Sequence, residues 1–263
     1  MQTIDDPGKV EPRTIGLTVA VGAVAFLTYS VLLGDGHTVF VFAGKEQLFE
    51  HLSAWLFLLA SLFALGAGLH YRRAGARRGK LLGVAYWSLA VLFFVAFGEE
   101  LSWGQHYFGF ETPEAIQGLN QQQELNLHNL SIFDSNTDSG KKTGLFGKFF
   151  NSNRLFDYFM LTLFVAIPWG YRLFPWSRGL LDRLGAPRMT WVLALPLLLN
   201  AALSVIAEVW VVHNHFRHMA TSEIRELNYA VLCVVGMASL YLFERRAARP
   251  AEELPPAPAE VLD

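Results

Sequence analysis

This sequence contains only one cysteine, and its acidic and basic residues are nearly equal in number. The single cysteine, Cys233, lies inside an apolar run, so the chain has no intrachain disulfide and no metal site built from several thiolates. The formal net charge is only −2, so the total charge indicates no particular class of partner, and the distribution of charge is more informative. We expect no nucleic-acid partner. Any chemistry that the chain performs must depend on carboxylates, imidazoles, hydroxyls and amides.

We also expect no cleavable signal peptide. Residues 1–13 mix acidic and basic side chains, and the apolar run at 14–33 is longer than the apolar core of a signal peptide. No small-residue cleavage site follows that run. We interpret 14–33 as a first helix that stays in the protein.

Apolar residues make up 52% of the chain and fall into blocks close to the roughly 20 residues that cross a bilayer. Backbone groups in lipid must bond internally, so each block should be helical, and Pro168 and Pro196 should kink two of them. The sequence thus predicts an all-α polytopic transmembrane helix bundle over 1–246. We expect about six spans, at 14–33, 50–69, 81–98, 155–174, 190–212 and 227–243.

Lysine and arginine are divided unevenly between alternate loops. Fourteen lie in the N-terminal tail, in the loops after the second and fourth spans and at the C-terminal edge, and seven lie in the other loops. The positive-inside rule places the fourteen in the cytoplasm. We expect a cytoplasmic (inner) membrane protein with both termini inside, a partly helical outward loop at 99–153, and a disordered Pro- and Ala-rich tail at 247–263.

Titratable side chains collect at the predicted outward side. Seven of the eight histidines lie on or near it, and several glutamates lie at the outward edges of apolar blocks. Imidazole and carboxylate groups are ligands for zinc, iron and manganese. Carboxylates at membrane depth are costly, which makes them candidates for function.

The first candidate group is the adjacent pair Glu99 and Glu100, which ends the third span. One carboxylate can bind a metal or act as a base while the other holds it in place, so we predict that both are catalytic. Ser102, Trp103 and Gln105 follow directly and are predicted to bind substrate. The alternative is a polar helix end in water, but Trp and Gly flank the pair instead of the Lys or Arg of a solvated face.

The second candidate group lies in the outward loop. On a helix, Asn120, Glu124 and His128 would form one polar stripe, because they are spaced four residues apart. We predict Glu124 and His128 as metal ligands, with Asn126 and Asn129 binding substrate. The alternative is a capped, solvent-exposed loop helix.

The third candidate group spans 208–218. If the fifth helix continues, Glu208 and His215 lie two turns apart on one face with His218 one turn further, and all three are predicted metal ligands. The alternative is a polar helix end with one capping histidine. Glu223 and Glu226 lie at the predicted entry to the sixth span, where a role as partners of the helix dipole is favoured over ligation.

Two resemblances accompany these patterns. The string Gly98-Glu99-Glu100-Leu101-Ser102-Trp103-Gly104-Gln105, followed by Asn126-Leu127-His128-Asn129, resembles an uncharacterised family of bacterial multi-span membrane proteins and implies no function. The Glu pair is also similar to that of the CAAX-protease and bacteriocin-processing intramembrane metalloproteases. That family has Arg four residues after the second Glu, then Phe-x-x-x-His and His-x-x-x-Asn/Asp. Here Gly104 stands at the Arg position and neither histidine motif occurs, so no residue role is carried over.

Two functions of different classes follow from the residues. The first is a membrane-embedded hydrolase with a divalent metal, zinc being expected, that acts on a lipid, lipid-linked or membrane-peptide substrate at the outer face. The second is a non-enzymatic binding or transport subunit that recognises a sugar headgroup or a partner membrane protein through the outward loop. A bis-histidine haem protein is a third option, for which only His51 and His213 are suitably placed.

Overall fold

The computed structural model describes residues 11–73, 77–120, 124–126, 151–211 and 215–247. These residues form an all-α bundle, which confirms the predicted fold class. The helices, in chain order, are α1 Pro12–Ser30, α2 Gly36–Ala43, α3 Leu48–Arg73, α4 Arg77–Glu100, α5 Gln105–Phe108, α6 Glu114–Gln117, α7 Ser152–Leu161, α8 Ile167–Leu173, α9 Pro175–Leu184, α10 Ala194–Trp210 and α11 His215–Ala247.

Four helical stretches of the described chain are long and apolar enough to cross a membrane: Pro12–Leu33, Gly36–Tyr71, Gly79–Glu100 and Trp191–Trp210. They coincide with four of the predicted spans. The other two predicted spans, 155–174 and 227–243, also fall on helix. Large apolar side chains such as Leu27, Val84 and Val91 are more than 60% exposed, as expected for a bundle whose solvent is lipid.

Local sequence explains where several helices begin and bend. The Asp35 carboxylate accepts a hydrogen bond from the Thr38 amide at 2.8 Å and so caps α2, and Asn151 caps α7 in the same way through Arg154 N. A π-helical turn over Thr162–Ala166 joins α7 to α8 directly before Pro168. Proline has no amide hydrogen to donate, so the helix bond that it lacks is accommodated by this local widening.

Helix α11 lies at the centre of the bundle. Its fully buried residues, among them Ala230, Cys233 and Met237, pack against α3, α7 and the π-helical turn in one core cluster. A second cluster joins α2, the start of α3, the end of α10 and the first half of α11, with Val39 and Ile224 fully buried. The second cluster fixes the end of the bundle where the acidic side chains gather.

Candidate functional site

Carboxylates from separate parts of the sequence meet at one end of the bundle. Helix α3 begins there, α4 ends there, and the first third of α11 passes alongside. We call this region, formed by residues 45–53, 99–109, 124–126 and 223–226, the acidic end.

Three carboxylates form the tightest group at the acidic end, and we call it the glutamate trio. One oxygen each from Glu100, Glu223 and Glu226 lies within 4.8 Å of the others, and all three residues are partly buried. Glu100 is the last residue of α4, while Glu223 and Glu226 stand three residues apart on one face of α11. The Ser53 hydroxyl of α3 donates to Glu100 Oε2 at 3.3 Å. Three packed helices therefore hold the trio in place.

A fourth carboxylate stands at the edge of the trio. Glu50 is close enough to interact electrostatically with Glu226 and Glu223. Its Oε2 accepts the backbone N–H of Glu46 at 2.5 Å, and Glu46 itself adopts a left-handed conformation with φ 58°. The turn before α3 therefore orients Glu50 toward the trio.

A second group combines a histidine with two carboxylates. Ligand atoms of Glu46, His106 and Glu124 lie within 4.8 Å of one another, and His106 Nε2 is 3.7 Å from both carboxylates. Lys45 Nζ contacts Glu124 Oε1 at 2.5 Å. Because this ammonium already neutralises Glu124, the group has less need of a metal than the trio has.

Glu124 is held by a network of short polar bonds. Ser102 Oγ and Asn126 Nδ2 each donate to Glu124 Oε2 at 2.9 Å, and Asn120 Nδ2 donates to Asn126 Oδ1 at 2.8 Å. Gln105 Oε1 accepts the Leu125 N–H at 2.8 Å. Ser102, Gln105 and Asn126 were predicted to bind substrate, and in the structure their side chains hold residues 124–126 against the end of α4.

The predicted pair Glu99 and Glu100 separates in the structure. Adjacent helical residues point about 100° apart, so Glu100 joins the trio while Glu99 Oε1 accepts a hydrogen bond from Trp103 Nε1 at 2.8 Å. Ser102, Trp103 and Gly104 all have positive φ, and such a turn persists only when its surroundings hold it. The Glu99–Trp103 bond is one of the contacts that hold this turn.

The helical stripe predicted for the second candidate group is wrong. Residues 124–126 form a bend rather than a helical stripe, because Asn120 reaches both the carbonyl and the side chain of Asn126 and closes a loop. In the third group, the condition that the fifth helix continues through 208–218 is not met, because α10 ends at Trp210. His218 Nδ1 lies 2.9 Å from the Glu208 carboxylate.

The preference for Glu223 and Glu226 as partners of a helix dipole is also corrected. They stand eight and eleven residues beyond the first residue of α11, outside the first turn where that effect acts. His128 and Asn129 lie outside the described residues, as does the side chain of His215. Within the described chain, the trio and the Glu208–His218 pair are separate groups.

Electrostatics at Glu124 predict a pH dependence of stability. Burial alone raises its pKa, but hydrogen bonds from Lys45 and Ser102 and the Lys45 charge outweigh burial and lower it. A carboxylate with a lowered folded-state pKa contributes stability above its unfolded pKa of about 4.3, and this contribution is lost as pH falls through the folded pKa.

We therefore expect Lys45→Gln to reduce the acid-induced loss of stability. Thermal unfolding in detergent between about pH 6 and 3 should show a smaller decline in melting temperature for Lys45→Gln than for the unmodified protein. Lys80→Gln, which changes an exposed lysine at the other end of the bundle, is the control and should leave the pH profile unchanged. Identical profiles for all three proteins would contradict the linkage.

No protein-family model, curated protein or solved structure that was compared with the chain matches it.

Proposed function

We propose that the protein is a membrane-embedded, divalent-metal-dependent hydrolase that acts on a lipid, lipid-linked or membrane-peptide substrate at the outer face of the cytoplasmic membrane. The observation that carries the proposal is the convergence of Glu100, Glu223 and Glu226. Side chains from two helices that are far apart in sequence meet there, at the end of a membrane bundle.

The electrostatic repulsion among the three carboxylates of the trio favours a bound cation. Carboxylates within 4.8 Å repel one another, and partial burial strengthens the repulsion. Lys45 is near enough to interact with Glu223, but its Nζ contacts Glu124. Arg225 interacts with Glu226, but its nearest carboxylate is that of Asp157. A divalent cation among the three oxygens would turn the repulsion into ligation.

The donor set indicates the class of metal. The trio offers oxygen ligands, which favour Mg²⁺ or Mn²⁺ over the zinc expected from a histidine-containing set. A metal held by these groups would supply a water of lowered pKa. Glu50, next to the trio, would accept a proton from that water as its oxygen attacks an ester, amide or phosphoester bond, and would return the proton to the leaving group.

Exposed aromatic residues beside the trio support a substrate from the membrane. After the turn at Ser102–Gly104, Tyr107 is 60% exposed and Phe108 is 80% exposed. Aromatic rings at such positions settle at the level of lipid headgroups. They would keep the acidic end at the interface, where a lipid or lipid-linked substrate presents its polar group.

The orientation of the bundle is part of the proposal and can be tested with two matched glycines. Gly118 and Gly179 are both exposed, and a Cβ added to either meets nothing within 4 Å. The distribution of basic residues places Gly118 outside and Gly179 in the cytoplasm. In intact cells, an impermeant thiol reagent should therefore label Gly118→Cys and spare Gly179→Cys until the membrane is opened. Cys233 is fully buried and should stay silent in both. The opposite labelling pattern would reverse the orientation.

A binding or transport role is the second candidate. Carboxylates at the ends of membrane helices also occur in ion and proton pathways. The bonds around Ser102, Asn126 and Glu124 favour this role, since these side chains already satisfy one another. A transport role predicts cation binding without turnover.

Metal-dependent turnover separates the two functions. The purified protein should bind about one Mn²⁺ or Mg²⁺ per chain in equilibrium dialysis and should cleave an ester, phosphodiester or peptide substrate in mixed micelles. Chelation should remove both properties, and adding Mn²⁺ back should restore them. Binding without cleavage across the panel would favour transport, and cleavage that survives complete chelation would overturn the metal-dependent mechanism.

A further inference from the structure

A polar cleft lies beside the acidic end, on another side of α11. Its volume is about 300 Å³, and α7, α10 and α11 supply its walls. Two arginines, Arg154 and Arg225, line it together with the hydroxyl-bearing residues Ser204, Thr221 and Ser222. Such a combination of guanidinium and hydroxyl donors is typical of sites that bind phosphate.

Arg225 interacts with the charges of Asp157 and Glu226, but its hydrogen bonds to the protein are incomplete. Its Nη2 is 3.5 Å from Ser222 Oγ and its Nη1 is 3.9 Å from Asp157 Oδ2, and both distances exceed those of good hydrogen bonds. Its Nε is buried and has no hydrogen-bond partner among the described residues. A largely buried guanidinium in this condition is costly, so an anionic acceptor in the cleft would stabilise it.

Arg154 gives the cleft a second guanidinium. Its side chain is exposed at the start of α7 and forms no hydrogen bond or ion pair within the part of the chain that the structure describes. The two acids in the walls, Asp157 and Glu208, have partners within the cleft or beside it. Asp157 accepts the Tyr229 hydroxyl at 2.8 Å, and Glu208 contacts His218 at 2.9 Å. The donors that the lining offers to an anion are therefore the guanidinium groups of Arg154 and Arg225 and the hydroxyl of Ser222.

We propose that this cleft binds a phosphate group through Arg154, Arg225 and the hydroxyl of Ser222. The phosphate can belong to a phospholipid headgroup or to a small soluble phosphate ester. The cleft lies at the same end of the bundle as the headgroup-level aromatic residues, which makes a phospholipid accessible to it. This inference stands apart from the metal site and does not depend on hydrolysis.

Two sources of phosphate are tested with two probes. Phosphatidylglycerol in detergent micelles is the lipid probe, with retention measured by native mass spectrometry, and glycerol 3-phosphate is the soluble probe, measured by calorimetric titration. Diacylglycerol, which has the chains without the phosphate, is the control ligand. The unmodified protein should retain one phosphatidylglycerol and no stoichiometric diacylglycerol. Tight binding of glycerol 3-phosphate would identify a soluble ester as the source.

The variant Arg154→Gln changes an exposed side chain and should leave the fold intact. It should weaken binding of the preferred probe about tenfold, as expected when one charge-assisted hydrogen bond is lost. Arg183→Gln, an exposed arginine of α9 at the other end of the bundle, should bind like the unmodified protein. Equal weakening by both variants would show unspecific charge attraction and overturn the site. Failure of both probes to bind, or equal retention of diacylglycerol, would also overturn it.

Discussion

Replacing Glu223 with Gln is expected to weaken Mn²⁺ binding by about a hundredfold or more. The substitution keeps the size of the side chain and removes one of three carboxylates whose oxygens lie within 4.8 Å of one another. Loss of groups that merely support a metal ligand costs about 10- to 100-fold in affinity, and loss of a ligand should cost at least as much. Titration of the purified protein with Mn²⁺, followed by electron paramagnetic resonance, measures the change.

The same substitution should weaken metal binding but stabilise the metal-free protein. Without metal, Glu223→Gln should raise the melting temperature, because it removes repulsion from Glu100 and Glu226. Glu114→Gln in α6 is the matched control, since it removes an equal charge from an exposed position and should change neither property. If Glu223→Gln and Glu114→Gln bind Mn²⁺ equally well, the trio is not the metal site.

Replacing Phe93 with Ala is expected to cause the largest loss of stability among single truncations of the core. Phe93 is fully buried in α4. Its ring stacks on that of Phe57 in α3, with the ring centroids 6.4 Å apart, and meets the ring of Phe159 in α7 edge-on, with the centroids 6.0 Å apart. Truncating a buried Phe to Ala costs about 3–5 kcal/mol, because a cavity remains and packing contacts are lost. Unfolding in detergent by heat or denaturant measures the difference.

The neighbouring residue provides a strict control. Phe94 has the same chemistry but is 47% exposed on the outer surface of the bundle. Phe94→Ala should cost much less than Phe93→Ala, since its ring contacts lipid or detergent for much of its area. Equal losses from the two variants would mean that α3, α4 and α7 do not pack as described.

The helical architecture could be predicted because it depends on local sequence. Apolar runs of the required length, such as 81–98, must form helices in lipid whatever surrounds them. The structure confirms an all-α membrane bundle and places helix at each predicted span. The predicted end of the fifth span, residue 212, lies just beyond the observed end of α10 at Trp210, because hydropathy alone does not show the exact residue at which an apolar helix stops.

The candidate site could be predicted only in part, because it depends on packing between distant segments. Glu100 was selected with Glu99 as a carboxylate pair at the end of an apolar run, and Glu124 was selected as part of a polar stripe with His128. Their partners were not found. Glu223 and Glu226 meet Glu100 because α11 begins twelve residues before the predicted sixth span, which makes them interior helix residues. Their spacing of three was the available signal, but it is common on solvated helices. Lys45 and Glu124 are 79 positions apart, and no sequence periodicity links them.

The position of a bound manganese ion tests the central claim most directly. Crystals of the protein soaked in Mn²⁺ should give one anomalous scattering peak bounded by the oxygens of Glu100, Glu223 and Glu226, at about 2.1–2.3 Å from the nearest of them. The peak should be absent from crystals of Glu223→Gln. A peak only at Glu46, His106 and Glu124, or no peak at saturating Mn²⁺, would contradict the assignment of the trio as the metal site.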